Sequence, residues 1–166
     1  MTTLIIGLTM LARTGFGYEA LSLDTGRRVS VVVGCKLPKF DTLRYTLIDA
    51  RLMAARIGGG EDCRLLLSDG NEKPTKKNVM DSIKSQAATC GPNDTFWFYW
   101  SGHGDKFRGI SYLSAYDCDP FDIDTMISVT EVRKVLKACK ARAKVLILDA
   151  CHSGSTRSSP STFENV

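Results

Sequence analysis

The 166-residue sequence contains no C-x-x-C pair, and its six cysteines are widely spaced. This spacing argues against a zinc ribbon or a thioredoxin-like motif, and the cysteine content is far below that of a disulfide scaffold. We therefore expect reduced thiols, several of them buried as small apolar side chains. The chain also lacks an internal repeat, a low-complexity linker and an apolar run long enough to cross a membrane. These absences predict one domain with no membrane partner.

An excess of charge is nearly missing as well. Lysine and arginine number 22 against 18 aspartates and glutamates, a formal net charge of +4. Nucleic-acid binders concentrate basic residues on one face, whereas here the densest cluster is the loose group over residues 133–144. We expect no nucleic-acid partner. Hydrophobic residues make up 43% of the chain, which is ordinary for a soluble globular protein.

The N-terminal segment leaves three interpretations open. Residues 4–12 are apolar but short, and no basic residue precedes them. A weak signal peptide, an N-terminal strand and a start-site artefact all fit this pattern. We divide the chain into an uncertain segment 1–27, a domain 28–155 and a flexible tail 156–166. A cytoplasmic location is expected, with a secreted or periplasmic one as the alternative if residues 1–20 are a signal peptide.

Strand and helix patterns alternate along the domain. Residues 29–34 are β-branched and residues 95–100 are apolar on both faces, which is typical of strands buried inside a parallel sheet. Three helices are predicted: one over residues 43–57, one that begins after the cap at Thr75, and one that begins at the capping box of Ser128 and Glu131. Two further strands are predicted over residues 64–67 and 144–149. The alternation predicts an α/β fold with a mostly parallel, twisted sheet and helices on both faces.

Two polar clusters follow the strongest strands. Ser101-Gly102-His103-Gly104-Asp105 comes after one, and Asp149-Ala150-Cys151-His152 after the other. If these strands are neighbours, about 4.8 Å apart, His103 and Cys151 face each other at the carboxyl edge, where open α/β sheets bind ligands. A thiol and an imidazole form a nucleophile and its base. The adjacent glycines free backbone amides, such as those of Gly104 and Cys151, for a developing oxyanion.

Both motifs, in this order and about 48 residues apart, resemble those of the caspase-like cysteine peptidases, specifically the metacaspase and bacterial caspase-domain branch. The resemblance covers residues 28–155 and corresponds to the large catalytic subunit. It implies that His103 is the general base and Cys151 the nucleophile. It also implies that the amides of Gly104 and Cys151 form the oxyanion hole.

The same resemblance extends to a substrate pocket. Ile48-Asp49-Ala50-Arg51 is similar to the family's Asn-Asp-Ala-Arg segment. Asp49, Ser101 and Asp149 then correspond to the pocket for the residue before the scissile bond. Two carboxylates there would pair with a basic side chain, so we expect a peptide or protein substrate cleaved after Arg or Lys.

Two departures from the family pattern carry further expectations. The family's calcium-dependent members have paired aspartates where this chain has Val129 and Thr130, which supply no carboxylate, so we expect no cofactor and no metal site. The chain stops at residue 166, 15 positions after Cys151, whereas the family continues with a smaller segment that adds strands. We expect a separate small-subunit chain or a second copy to supply it, unless the sequence is a truncated product. The competing function is a catalytically incomplete module that binds or regulates partners.

Plainer structural interpretations stand beside these roles. Asp49 could pair with Arg51 or Arg56 on a solvated helix face. His152 more readily packs beside the nucleophile than serves as its base. The two tryptophans suit a core better than a recognition surface. The aspartates at 117, 119, 122 and 124 suit a solvated turn better than a metal cage.

Overall fold

The computed structural model describes residues 11–14, 17–20, 26–38, 43–57, 62–119 and 121–152, with the backbone alone given for 11–14, 17–20 and 151–152. Near the N-terminus, β1 (Leu11–Thr14) and β2 (Gly17–Ala20) form an antiparallel hairpin. The end of the apolar N-terminal run therefore lies in a strand. Residues 1–10, and with them most of the possible signal peptide, lie outside the described residues, as does the tail 156–166. In the described part, no helix is both long and apolar enough to span a membrane.

The main sheet is built around its longest strand, β5. Its strands are β3 (Arg28–Cys35), β4 (Cys63–Leu67), β5 (Thr95–Phe107), β6 (Ile110–Leu113), β7 (Ile127–Ser128) and β8 (Ala143–His152). β4, β3, β5 and β8 are parallel neighbours in that order, while β6 pairs antiparallel with β5 and β7 pairs antiparallel with β6. The predicted α/β class is confirmed. The predicted mostly parallel sheet is matched in part, because four strands are parallel and β6 adds an antiparallel extension.

The antiparallel part arises because β5 does not end where the apolar pattern ends. The strand continues from Trp100 to Phe107 and turns through Arg108 and Gly109, both with positive φ, into β6. β8 likewise runs on to His152. The polar clusters predicted to follow the strands are thus held inside them, where ladder hydrogen bonds fix their backbone. The apolar pattern missed this extension because it reports burial and not backbone pairing.

Helices cover both faces of the sheet, as predicted. α1 (Thr46–Ile57) packs its small residues Ala50 and Ala54 against Val32 and Tyr99 on one face. α2 (Lys76–Thr89) and α3 (Val129–Ala138) cover the other face. Both predicted caps are present: the Thr75 hydroxyl accepts a hydrogen bond from the Asn78 amide at 3.1 Å, and Ser128 and Glu131 form the capping box.

The face under α2 and α3 holds the larger core. Phe96, Phe98 and Trp100 alternate along β5 and are at most 1% exposed. The predicted core role of Trp100 is therefore confirmed, and Trp97, on the α1 face, is half-buried against the smaller cluster. β5 is thus held from both sides, which gives a rigid base to the residues at its carboxyl end.

Candidate active site at the carboxyl edge of the sheet

The backbone register of β5 and β8 brings the two sequence motifs side by side. The strands are parallel neighbours, and His103 is paired with Cys151 and Ser101 with Asp149. Neighbouring strands lie about 4.8 Å apart, so each pair sits within a side chain's reach. Every second residue of a strand shares a face, which places positions 101 and 103 together on β5. One strip of the sheet edge therefore carries both motifs.

His103 is held by its backbone. Its carbonyl accepts a hydrogen bond from the Ser114 amide at 3.0 Å, just beyond β6, and its side chain is half-buried. A Cβ at Gly102 would lie 2.8 Å from the Cys35 carbonyl oxygen, and one at Gly104 would lie 2.9 Å from the Tyr112 carbonyl oxygen. The sequence predicts that these glycines free backbone amides for an oxyanion. The structure shows that they also admit the neighbouring chain segments that hold the histidine in place.

Beside this pair, the carboxylate of Asp149 lies within the electrostatic influence of Asp49. Burial raises the pKa of Asp149, the negative charge of Asp49 raises it further, and a hydrogen bond with the Ser101 hydroxyl lowers it. Ser101 is only 3% exposed, whereas Asp49 is half-buried and Asp149 exposed. The structure therefore brings together the three residues predicted to form a pocket, and it leaves the carboxylates facing water above a buried hydroxyl.

Tyr99 belongs to this group, although the sequence analysis did not select it. It is 4% exposed and packs under α1. Burial raises the pKa of its phenol to about 12, with further contributions from the charges of Asp149 and Asp49, while a hydrogen bond with Ser101 lowers it. The available signal was its place two residues before Ser101, on the same face of the strand. Its apolar neighbours hid that signal.

The plainer interpretations can be checked against other contacts. Arg51 bonds to Asp69 at 2.8 Å, so the predicted alternative of an Asp49–Arg51 pair is wrong. The acidic loop is a set of turns, because its carboxylates accept hydrogen bonds from the amides of Lys76, Phe121 and Asp124. Among the described residues, no group of three His, Cys, Asp or Glu is arranged to hold a metal ion. At the calcium-type positions, Val129 is buried in the core and Thr130 is exposed.

An open cavity of about 220 Å³ lies at the same edge of the sheet, after β3 and β4. Its wall includes Lys36, Leu47, Ser68, Asp69 and Tyr116. The Ser68 hydroxyl accepts a hydrogen bond from the Lys36 amide at 2.7 Å, which ties the two loops together. The cavity thus has a firm floor and a mixed apolar and charged lining.

In this α/β fold, His103 and Cys151 are register partners at the carboxyl edge of the sheet. The sequence model described as the caspase domain matches residues 27–165. The chain therefore belongs to the caspase-domain family of cysteine peptidases, as the motif resemblance predicted.

Curated relatives are metacaspases. The chain is 27% identical to metacaspase-9 of Arabidopsis thaliana over 77% of this chain and 44% of that protein. It is 26% identical to metacaspase-1 of Schizosaccharomyces pombe over 89% of this chain and 39% of that protein. Metacaspase-1 of Candida albicans is 27% identical over 52% of this chain and 22% of that protein. The chain thus spans less than half the length of these relatives.

A solved structure supports the fold. The crystal structure of a protein from Geobacter sulfurreducens superposes with a TM-score of 0.59 at 21% identity, covering 78% of this chain and 52% of that one. At this identity the likeness concerns the backbone architecture. It agrees with the α/β class predicted from the alternation of strands and helices.

Proposed function

We propose that this chain carries the catalytic dyad of a cysteine endopeptidase that cleaves peptide bonds after Arg or Lys. The observation that supports the proposal most is the parallel register that pairs His103 with Cys151. Membership of a cysteine peptidase family supports the same chemistry.

In the proposed reaction, the Cys151 thiolate attacks the scissile carbonyl carbon after His103 has taken its proton. The carbonyl oxygen becomes an oxyanion that the amides of Gly104 and Cys151 stabilise. The tetrahedral intermediate collapses, the C–N bond breaks, and the imidazolium returns the proton to the leaving amine. Water then hydrolyses the thioester, and His103 again takes and returns one proton.

The proposed specificity rests on the two carboxylates. The negative charge of Asp49 makes Asp149 harder to ionise and so raises the pKa of Asp149. A bound guanidinium or ammonium would relieve the repulsion, whereas an acidic side chain would add to it. Ser101, buried below Asp149, would keep one carboxylate oriented for a charge-assisted hydrogen bond.

A fluorogenic peptide series tests both parts. We expect turnover of peptides ending in Arg or Lys, none of the same peptide ending in Asp, and no turnover by Cys151→Ala or His103→Ala. Asp149→Asn should reduce kcat/KM for the Arg peptide by at least about 100-fold, because the basic side chain loses the carboxylate that would pair with it. Asp81→Asn, on the far surface of α2 and paired with Lys77 at 2.6 Å, is the matched control and should be silent. Equal cleavage of the Asp peptide would contradict the specificity.

We further propose that a second chain, either a small-subunit chain or another copy, pairs with β8. Within the described residues β8 has one neighbour, β5, and its residues 144–148 are half-buried although four of them are apolar. An unpaired strand edge of this kind favours the addition of another strand. Co-purification with a candidate downstream chain, and sedimentation of the chain alone, distinguish the two sources. A strictly monomeric chain that ignores every candidate would contradict the proposal.

The second candidate function is a non-catalytic module, favoured by the same half-covered strand. It predicts an intact fold with no turnover in the presence of any second chain. For the peptidase function we propose activity without calcium, since Val129 and Thr130 offer no carboxylate. Equal activity with calcium and with a calcium chelator is the expected result.

We also propose a cytoplasmic location, with secretion as the alternative that cell fractionation would detect.

A further inference from the structure

Two buried cysteines meet at the opposite edge of the sheet from the candidate active site. Cys90 ends α2 and precedes β5, and Cys139 ends α3 and precedes β8. Because β5 and β8 are parallel neighbours that start together, with Thr95 paired to Ala143, the two helices that lead into them end at the same place. The topology therefore brings together two thiols that are far apart in sequence.

Local contacts show how close the cysteines are. The Cys139 thiol donates a hydrogen bond to the Ala87 carbonyl oxygen at 3.5 Å, and the backbone amide of Cys90 donates to the same oxygen at 3.4 Å. The Cys90 thiol bonds to the Gln86 carbonyl oxygen at 3.6 Å, and the neighbouring Cys139 contributes to the raised pKa of the Cys90 thiol. Both thiols thus contact adjacent carbonyl oxygens of the last turn of α2.

The backbone at the two positions is alike and well packed. Cys90 has φ −70° and ψ 133°, and Cys139 has φ −66° and ψ 137°. Cys90 is 4% exposed and Cys139 is 7% exposed, within one apolar cluster. Neither residue lies near the strip that carries His103, so the reaction proposed above makes no use of them.

We propose that Cys90 and Cys139 are a dithiol that hydrogen peroxide converts to an intramolecular disulfide, which fastens the end of α2 to the end of α3. In the first step one sulfur attacks a peroxide oxygen and the O–O bond breaks. The products are a sulfenic acid on that sulfur and one molecule of water. The second sulfur attacks that sulfenic sulfur, the S–O bond breaks, and a second water leaves. Two thiols and one peroxide thus give one disulfide and two waters.

The environment makes this reaction slow. Burial and the neighbouring Cys139 together raise the pKa of the Cys90 thiol to about 12, so little thiolate exists at neutral pH. Once one sulfur is oxidised, the other lies against the same turn of α2, and burial hinders the entry of a second peroxide. The link would close a loop of about 50 residues, which restricts the unfolded chain and stabilises the fold.

The test uses the whole chain carrying Cys151→Ala, so that the proposed nucleophile does not consume the oxidant. After peroxide treatment we expect a mass loss of about 2 Da and a non-reduced digest that joins the peptides bearing Cys90 and Cys139. The thermal midpoint should rise by roughly 10 °C and return on addition of a reductant. Peptide mapping needs no further variant, so it remains decisive even if a cysteine variant folds poorly.

Matched variants assign the effect. Cys90→Ser and Cys139→Ser should each lose the link and the rise in midpoint, whereas Cys63→Ser, at the half-exposed start of β4, should keep both. Sulfinic acid on either cysteine without a disulfide, or a link between other cysteines, would overturn the proposal. None of these outcomes depends on peptidase activity.

Discussion

β3 and β8 flank the same central strand in the same direction, yet their surroundings differ. Every residue of β3 after Arg28 is buried, since β4 covers its outer edge and helices cover both faces. The residues of β8 at 144–148 are only half-buried, and Asp149 is exposed. Both strands have the apolar pattern of an interior strand. The apolar pattern shows which side chains favour burial, and the neighbouring strands and helices determine how far those side chains are buried.

This difference divides the molecule into a tightly packed region around β3 and a region around β8 that is open to a substrate or another chain. On the β3 side, tight packing leaves little freedom, and mutations there should act on stability. On the β8 side, the exposed carboxylate and the open edge leave groups free to contact a substrate or another chain, and mutations there should act on binding. Four measurements test this division, from the largest expected effect to the smallest.

Removing the same two methyl groups on each strand tests the division directly. Val32 on β3 and Val145 on β8 are valines on the α1 face, but Val32 is fully buried and Val145 half-buried. We expect Val32→Ala to lower the free energy of unfolding by about 2–3 kcal/mol, because it leaves a cavity. Val145→Ala should cost less than about 1 kcal/mol. Urea denaturation of both variants gives the comparison, and equal losses would contradict it.

A glycine on β3 tests how closely α1 approaches. A Cβ at Gly34 would lie 2.9 Å from both the Ala50 Cβ and the Leu67 Cδ2, and 3.1 Å from the Thr46 carbonyl oxygen. We expect Gly34→Ala to cost about 1–3 kcal/mol of stability, since helix and sheet must separate slightly. At Gly91 the nearest atom would be 3.6 Å away, so Gly91→Ala is the control and should change stability little. The idea fails if the two variants unfold alike.

Asp149 is aligned with Gly34 across the sheet, since Ser101 is the register partner of both. A substitution at Asp149 should raise stability, whereas Gly34→Ala should lower it. Burial and the charge of Asp49 raise its pKa, so at neutral pH its ionised form is a small cost to the fold. Asp149→Asn should raise the thermal midpoint by about 1–2 °C at pH 7 while it weakens binding of basic peptides.

The sign of the pH dependence follows from the raised pKa. The contribution of Asp149 to stability is most favourable below the ordinary aspartate pKa and is lost as the pH rises through the folded value. The difference between wild type and Asp149→Asn should therefore vanish in acid and appear toward neutral pH. A thermal midpoint at pH 7 that is lower for Asp149→Asn than for wild type would show that the fold does not disfavour the charge of Asp149.

The smallest effect concerns the hydroxyl below that carboxylate. Ser101 lowers the pKa of Asp149 by a hydrogen bond, so Ser101→Ala should raise this pKa further. Carbon NMR of the aspartate carboxyl groups, titrated with pH, measures the shift. Ser82→Ala, a buried serine on α2 across the sheet, should leave the Asp149 titration unchanged.

Sequence reasoning identified most elements because their signals are local. The capping box at Ser128 and the cap at Thr75 depend on residues within three positions, and both are present in the structure. The predicted grouping of Asp49, Ser101 and Asp149 came from the family resemblance, and the structure places these residues together. Their role in substrate binding stays a prediction.

The errors arose where distant pairing decides the outcome. The extension of β5 to Phe107 depends on β6, and β6 in turn is completed by the two residues of β7. Tyr99 was passed over because its apolar strand predicts a core residue, and only the neighbouring Asp149 and Asp49 give its hydroxyl a charged environment. The Arg51–Asp69 ion pair joins α1 to a loop. The helical repeat of α1 does not predict this ion pair, because Asp69 lies outside the helix.

By itself the sequence determined the alternation of strands and helices, the caps, and the two motifs that follow the apolar runs, because these depend on backbone preference and on residues close along the chain. Only the tertiary structure decided which strands are neighbours, and hence that His103 lines up with Cys151 at one edge and that Cys90 meets Cys139 at the other. The reason is that strand order and register are set by packing between segments far apart in sequence, and local patterns do not record that packing.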